Sequence, residues 1–251
     1  MKKLMAANWK MYKTVADGEA TARSLAGLLA GKLPGDREVL ICPPAIMLDH
    51  VGRALAGQAG LHLGAQNFYP SAQGAFTGEI APEQLVDLGC GHALVGHSER
   101  RHVLGEDDDL IGRKVAFGLS AGLKIILCVG ETITERRAGQ VEAVLTRQLE
   151  RGLADALALA TSDNLAVAYE PVWAIGTGEV AGPAEILAAH AFVRTKLLEL
   201  MPEQGARVRI LYGGSVKPDN AGAIVRLDNV DGVLVGGASL KADSFSQIVL
   251  A

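Results

Sequence analysis

The sequence predicts an α/β protein built as a closed (β/α)8 barrel, on three observations. Short runs rich in Val, Ile and Leu recur eight times, each is followed by a longer stretch with helical periodicity, and the alternation has no Pro/Ser-rich linker or shift in composition. A barrel of this class needs about 250 residues. The chain has 251, so a single domain spanning residues 1–251 is expected.

The first strand is read at residues 4–8 (LMAAN), with an amphipathic stretch at 17–30 behind it. The second and third are read at 38–42 (EVLIC) and 61–65 (LHLGA), and the fourth at 92–96 (HALVG), followed by a helical pattern at 107–121. The fifth (124–129, KIILCV) leads into a helix over 140–160, and the sixth (165–170, LAVAYE) into a helix over 184–200 with Pro183 near its first turn. The seventh (208–212, VRILY) precedes a helix opening at Ser215-Val216-Lys217-Pro218-Asp219, and the eighth is read at 232–235 (GVLV). All eight runs are apolar nearly throughout, as parallel strands covered on both faces must be.

Composition narrows the function. Lys+Arg 24 against Asp+Glu 28 gives a net charge of −4 with no basic run to follow a phosphodiester backbone, which argues against nucleic acid. No stretch approaches the ~18 uncharged apolar residues that cross a bilayer. The opening MKKLMAANWK is too short an apolar run for export, so a cytoplasmic location is expected. Cys42, Cys90 and Cys128 are odd in number and set in apolar runs, the pattern of buried reduced thiols.

In such a barrel, catalysis belongs to the C-terminal strand ends and the loops after them. That selects Asn8 and Lys10, Gln66 and Asn67, His97, Ser98 and Glu99, Glu131, Glu170, Gly213-Gly214-Ser215, and Gly236-Gly237. Glycine pairs after strands seven and eight fit a phosphate cradle of exposed N–H groups, to which Ser215 could add a hydroxyl; the plainer reading is tight turns. Glu170 closes an apolar strand before Pro171. A carboxylate at the edge of an apolar pocket binds protons more tightly, as a general base near neutral pH requires, whereas a salt-bridged acid would be the structural alternative. The apolar segment Pro171-Val172-Trp173-Ala174-Ile175-Gly176-Thr177-Gly178 reads as a lid that excludes water.

His97 stands where a helix can start. An imidazole over a helix N-terminus donates a hydrogen bond without carrying charge; the alternative is a histidine bonded to backbone. Lys10 near the mouth could pair with phosphate or developing oxyanion charge, and Glu99 is either a proton carrier or the partner that orients it. Arg100 and Arg101 read as ion-pair formers. A metal site from Cys90, His92, His97 and His102 matches no closed zinc spacing, and His50, His62 and His190 read as structural or surface residues. With neither a Walker-type loop nor a dinucleotide fingerprint, no cofactor is expected.

These residues together resemble the triosephosphate isomerase family. The resemblance is carried by Ala7-Asn8-Trp9-Lys10-Met11, Gly64-Ala65-Gln66-Asn67, Gly74-Ala75-Phe76-Thr77-Gly78-Glu79, Gly96-His97-Ser98-Glu99-Arg100-Arg101, Tyr169-Glu170-Pro171-Val172-Trp173-Ala174-Ile175-Gly176-Thr177-Gly178, Tyr212-Gly213-Gly214-Ser215-Val216 and Val235-Gly236-Gly237-Ala238-Ser239-Leu240. It implies interconversion of dihydroxyacetone phosphate and D-glyceraldehyde 3-phosphate, with Glu170 as base, His97 as electrophile and Lys10, beside Asn8, stabilising charge. Backbone N–H groups of Gly176, Ser215, Gly236 and Gly237 would grip phosphate. It also implies a homodimer, in which the loop around Thr77 inserts beside Asn8 and His97 of the neighbouring subunit. Tyr12 and Glu179-Val180-Ala181 depart from the commoner family residues, and the latter bear on lid kinetics. Another sugar-phosphate barrel such as an epimerase should bring a metal or paired aspartates at the mouth, and a non-catalytic phosphate-binding barrel should lack one of Lys10, His97 and Glu170.

Overall fold

A computed structural model describes residues 1–175 and 181–251. Eight strands, β1 (Lys3–Asn8), β2 (Arg37–Cys42), β3 (Leu61–Ala65), β4 (His92–Val95), β5 (Lys124–Val129), β6 (Leu165–Tyr169), β7 (Arg209–Tyr212) and β8 (Gly232–Val235), pair in sequence order and close into a barrel. All the ladders are parallel, and β1 pairs with β2 and β8, with Ala6 opposite both Leu40 and Leu234. Helices cover the outside: α1 (Val15–Leu29), α2 (Leu48–Leu55), α3 (Pro82–Asp87), α4 (Ser98–His102), α5 (Asp108–Ser120), α6 (Ile133–Arg137), α7 (Val141–Leu153), α8 (Pro183–Leu200), α9 (Pro218–Ile224) and α10 (Ala242–Leu250).

Strand alternation divides the apolar residues into two cores. Leu4, Ala6, Leu40, Cys42, Leu94, Ile126, Cys128, Ala166, Ala168, Leu211 and Leu234 point inward and fill the barrel. Their strand neighbours point outward against the helices, as when Ala22, Leu25 and Leu29 of α1 pack with Met5 and Ile41. The helix starts follow local chemistry. Thr14 Oγ1 accepts the Asp17 N–H at 3.3 Å while Asp17 accepts the Thr14 N–H, Asp107 accepts the Leu110 N–H at 2.7 Å, and Pro183 and Pro218 occupy first turns.

The N-terminal mouth of the barrel is polar. Arg209 bonds to Glu38, His62 Nε2 lies 3.7 Å from Glu38 Oε2, and the His62 and His92 rings are 5.7 Å apart. Burial pushes the His92 imidazole down to about 3, and neither of its ring nitrogens has a partner among the described residues. The three cysteines are buried free thiols. No helix among the described residues is long and apolar enough to cross a membrane.

Several boundaries differ from the sequence reading. Gly96 lies beyond β4 with φ +73°, a left-handed turn that starts α4, and Val208 precedes β7. The helix expected over 140–160 ends at Leu153. Turns follow it, yet Ala156 and Ala160 stay buried four residues apart, so the periodic signal outlasts the helix.

Candidate active site

Lys10 enters the site through an unusual backbone. Its φ of +49° is left-handed, a conformation that costs a non-glycine residue roughly 1–3 kcal/mol and needs outside support. Neighbouring polar groups supply it: the Lys10 N–H donates to Asn8 Oδ1 at 2.9 Å, and Gln66 Nε2 donates to the Lys10 carbonyl at 2.9 Å and to the Cys42 carbonyl at 2.9 Å. The side chain then runs over Gly236, where an added Cβ would sit 3.1 Å from Lys10 Cε, and its ammonium meets Glu99 Oε1 at 2.7 Å. Glu99 is thus the partner of Lys10.

The start of α4 organises the acid and the imidazole. His97 is the N-cap, and its Nδ1 accepts the Glu99 N–H at 3.2 Å. An Nδ1 that accepts leaves the ring proton on Nε2, which lies 3.0 Å from Glu170 Oε1. Glu170 Oε2 accepts the Ser98 N–H at 2.8 Å. Glu170 sits just past β6, with its N–H on the Val129 carbonyl at 2.7 Å, and is 2% exposed. Two glycines admit it: a Cβ on Gly130 would meet the Glu170 carbonyl oxygen at 1.7 Å, and one on Gly213 would meet Glu170 Cγ at 2.9 Å. Behind it, burial first and the Glu170 charge second hold the Cys128 thiol well above its usual range, so it remains a packed thiol.

A cavity of about 330 Å³ gathers the site. Asn8, Lys10, His97, Glu170, Ser215, Gly236 and Gly237, from five different strand ends, all line it, as do Gly213, Gly214 and Tyr12. Gly176 lies outside the described residues, as do Thr177, Gly178, Glu179 and Val180. The first half of the apolar loop is anchored: the Val172 N–H donates to the Glu131 carbonyl at 3.1 Å, and Trp173 Nε1 donates to Glu131 Oε1 at 2.8 Å. Glu131 is fully buried and also takes the Tyr169 hydroxyl at 3.1 Å, so it is a support behind the loop rather than a cavity group.

Other candidates go elsewhere. Asn67 accepts from buried Lys114 at 2.7 Å, and Gln66 supports the Lys10 backbone. His92 and His97 stand at opposite ends of β4. Arg100 pairs with Glu106 at 2.6 Å and Arg101 with Asp108 at 2.5 Å. Sequence reasoning missed Asn220, which accepts the Lys217 N–H at 2.8 Å and donates to the Ser215 carbonyl at 3.2 Å, fixing the loop after β7. Asn220 is the third residue of α9, where its side chain can cap the Lys217 N–H although the Lys217 side chain itself offers no acceptor, and that place in the first turn is the signal that could have found it.

The family model of triosephosphate isomerase matches residues 3–251. The chain belongs to the triosephosphate isomerase family. It is 61% identical over 251 residues to the triosephosphate isomerase of Nitratidesulfovibrio vulgaris (strain DSM 19637 / Miyazaki F), covering 100% of each chain. It is 50% identical over 248 residues to that of Chloroflexus aurantiacus, covering 98% of this chain and 97% of the relative. The crystal structure of triosephosphate isomerase from Bartonella henselae superposes with a TM-score of 0.89 at 40% identity, covering 99% of this chain and 98% of the other. The chain is therefore an isomerase, an intramolecular oxidoreductase interconverting aldose and ketose phosphates. The epimerase and non-catalytic readings are accordingly not favoured.

Proposed function

We propose that this triosephosphate isomerase family member interconverts dihydroxyacetone phosphate and D-glyceraldehyde 3-phosphate, with Glu170, His97 and Lys10 as its catalytic residues. The observation that carries the assignment is the placement of a buried carboxylate 3.0 Å from an Nε2–H imidazole in a cavity partly walled by glycine-rich backbone. Glu170 removes the proton from the carbon beside the carbonyl, leaving an enediolate, and returns it to the adjacent carbon. His97 polarises the carbonyl through Nε2 and moves the hydroxyl proton between the enediolate oxygens. Lys10, with Asn8 beside it, offsets the negative charge that develops. The N–H groups of Gly176, Ser215, Gly236 and Gly237 hold the phosphate, and closure of the loop after Glu170 keeps water from the enediolate.

Supporting the dimer, Met11, Phe76, Val103 and Leu104 leave large apolar side chains exposed, Met11 at 94% and Val103 at 77%. The working unit in this reading is a homodimer of single-domain barrels over residues 1–251, acting in the cytoplasm without a cofactor. A coupled assay on D-glyceraldehyde 3-phosphate tests the activity. Run in D2O, the reaction should place deuterium on the carbon that receives the proton. Turnover without any exchange would rule out a solvent-exchanging base.

A further inference from the structure

The charges around the cavity do not balance in favour of an anion. Its charged lining among the described residues comprises Lys10, Glu170 and Lys217. The Lys10 ammonium is already matched by Glu99 at 2.7 Å, and Glu170 repels a phosphate dianion. The chain as a whole carries −4, which adds to the repulsion at a distance. Lys217 is the cation left over. It is exposed, and its ammonium makes no ion pair or hydrogen bond among the described residues. Its main chain is nevertheless fixed, because Asn220 binds both the Lys217 N–H and the Ser215 carbonyl. The ammonium therefore swings from a rigid base beside the Gly213-Gly214-Ser215 loop.

We propose that Lys217 is the residue that captures the phosphate-bearing substrate, drawing the dianion to the glycine loops before Lys10 and Glu170 engage it. The proposal rests on the reading of those loops as the phosphate end of the cavity. An exposed ammonium attracts the dianion most at close approach and, at low ionic strength, where the Debye length is about 30 Å, also from a distance; added salt weakens both. Capture without chemistry should register in kcat/KM and leave kcat alone.

The test compares Lys217→Gln and Lys217→Glu with Lys32→Glu, which makes the same charge change at an exposed lysine beyond α1, on the far side of the barrel from the cavity. At roughly 10 mM ionic strength, Lys217→Glu should lower kcat/KM for D-glyceraldehyde 3-phosphate by about five- to tenfold, with Lys217→Gln in between; at roughly 0.3 M the loss should shrink below about twofold. Turnover of unphosphorylated glyceraldehyde should not change, and inhibition by inorganic phosphate should weaken in parallel with the kcat/KM loss. The proposal is overturned if Lys217→Glu matches Lys32→Glu at low salt, if its defect is equal at both ionic strengths, or if the defect lies in kcat. A wild-type enzyme inactive on triose phosphate would remove the functional reading and this proposal together, whereas an active wild type with an indifferent Lys217 removes this proposal alone.

Discussion

Glu170 Oε1 lies 3.0 Å from Nε2 of His97, while the other oxygen of the same carboxylate takes the Ser98 N–H at 2.8 Å. The carboxylate is therefore held by the first residues of the helix that positions the imidazole. To reach a carbon in the cavity, Glu170 has to exchange these bonds for the substrate, which is itself hydrogen-bonded to His97 in the proposed reaction. The two residues are set against each other until a ligand separates them.

Shortening the carboxylate tests its role. Glu170→Asp should keep the fold and substrate binding while lowering kcat by on the order of a hundredfold or more, because withdrawing a base by about 1 Å costs that much. Steady-state kinetics on both triose phosphates provide the measurement, and wild-type turnover would take Glu170 out of the mechanism.

Gly130 should tolerate no side chain. The Cβ of Gly130→Ala would fall 1.7 Å from the Glu170 carbonyl oxygen, so backbone must move. Overpacking of this kind costs roughly 1–3 kcal/mol, and the displaced Glu170 should lose activity by up to about a hundredfold. Urea unfolding read alongside kcat separates the two effects; full activity at undiminished stability would contradict the tight contact.

Acid should destabilise the protein well before its carboxylates protonate. Burial pushes His92 down to about 3 and His190 to about 4, against an ordinary value of 6.5. Between those values and 6.5 the unfolded chain binds more protons, so their stabilisation is complete above pH 6.5 and declines as the pH falls, by about 1.4 kcal/mol per unit for each histidine. Glu38, near His92, is held down at about 2 by the neighbouring His62 imidazole and by Arg209, and stays ionised through this window. Urea midpoints from pH 7.5 to 5 should fall accordingly, and His92→Asn should flatten the slope; an unchanged slope would show that His92 is charged in the fold.

The dimer should fail when Phe76 is made polar. Phe76 stacks on Tyr69 with ring centroids 4.4 Å apart, yet remains 42% exposed. Light scattering should show Phe76→Asp as a monomer of greatly reduced activity. A wild-type chain that is monomeric and fully active at low concentration would end the dimer proposal.

Much of this was legible in the sequence because parallel strands and strand-end glycines leave local signals. Asn8, Lys10, His97, Glu170, Ser215, Gly236 and Gly237 were selected by position after apolar runs, and the cavity collects all of them. What was not legible depends on partners distant in the chain. Nothing near Lys10 announces its left-handed backbone, which Gln66, just past β3, supports together with Asn8, and nothing near Glu131 shows that it faces Trp173 and Tyr169 instead of the cavity. Glu99 was open between two roles until its 2.7 Å contact with Lys10 chose one. The end of α7 was obscured because Ala156 and Ala160 keep helical spacing through a series of turns.

The pairing of β1 with β8 is a condition for the site to exist. Trp9 Nε1 reaches the Ser239 carbonyl at 3.1 Å, and Lys13 Nζ reaches that of Leu240 at 2.8 Å, so the loop bearing Lys10 is tied to the last strand's loop as well as to Gln66 and Glu99. Lys10 follows the first strand and Gly236 the eighth, so the two meet only where the sheet closes on itself. An open sheet of the same eight strands would leave that ammonium without the glycine beneath it, and catalytic competence is therefore a property of closure.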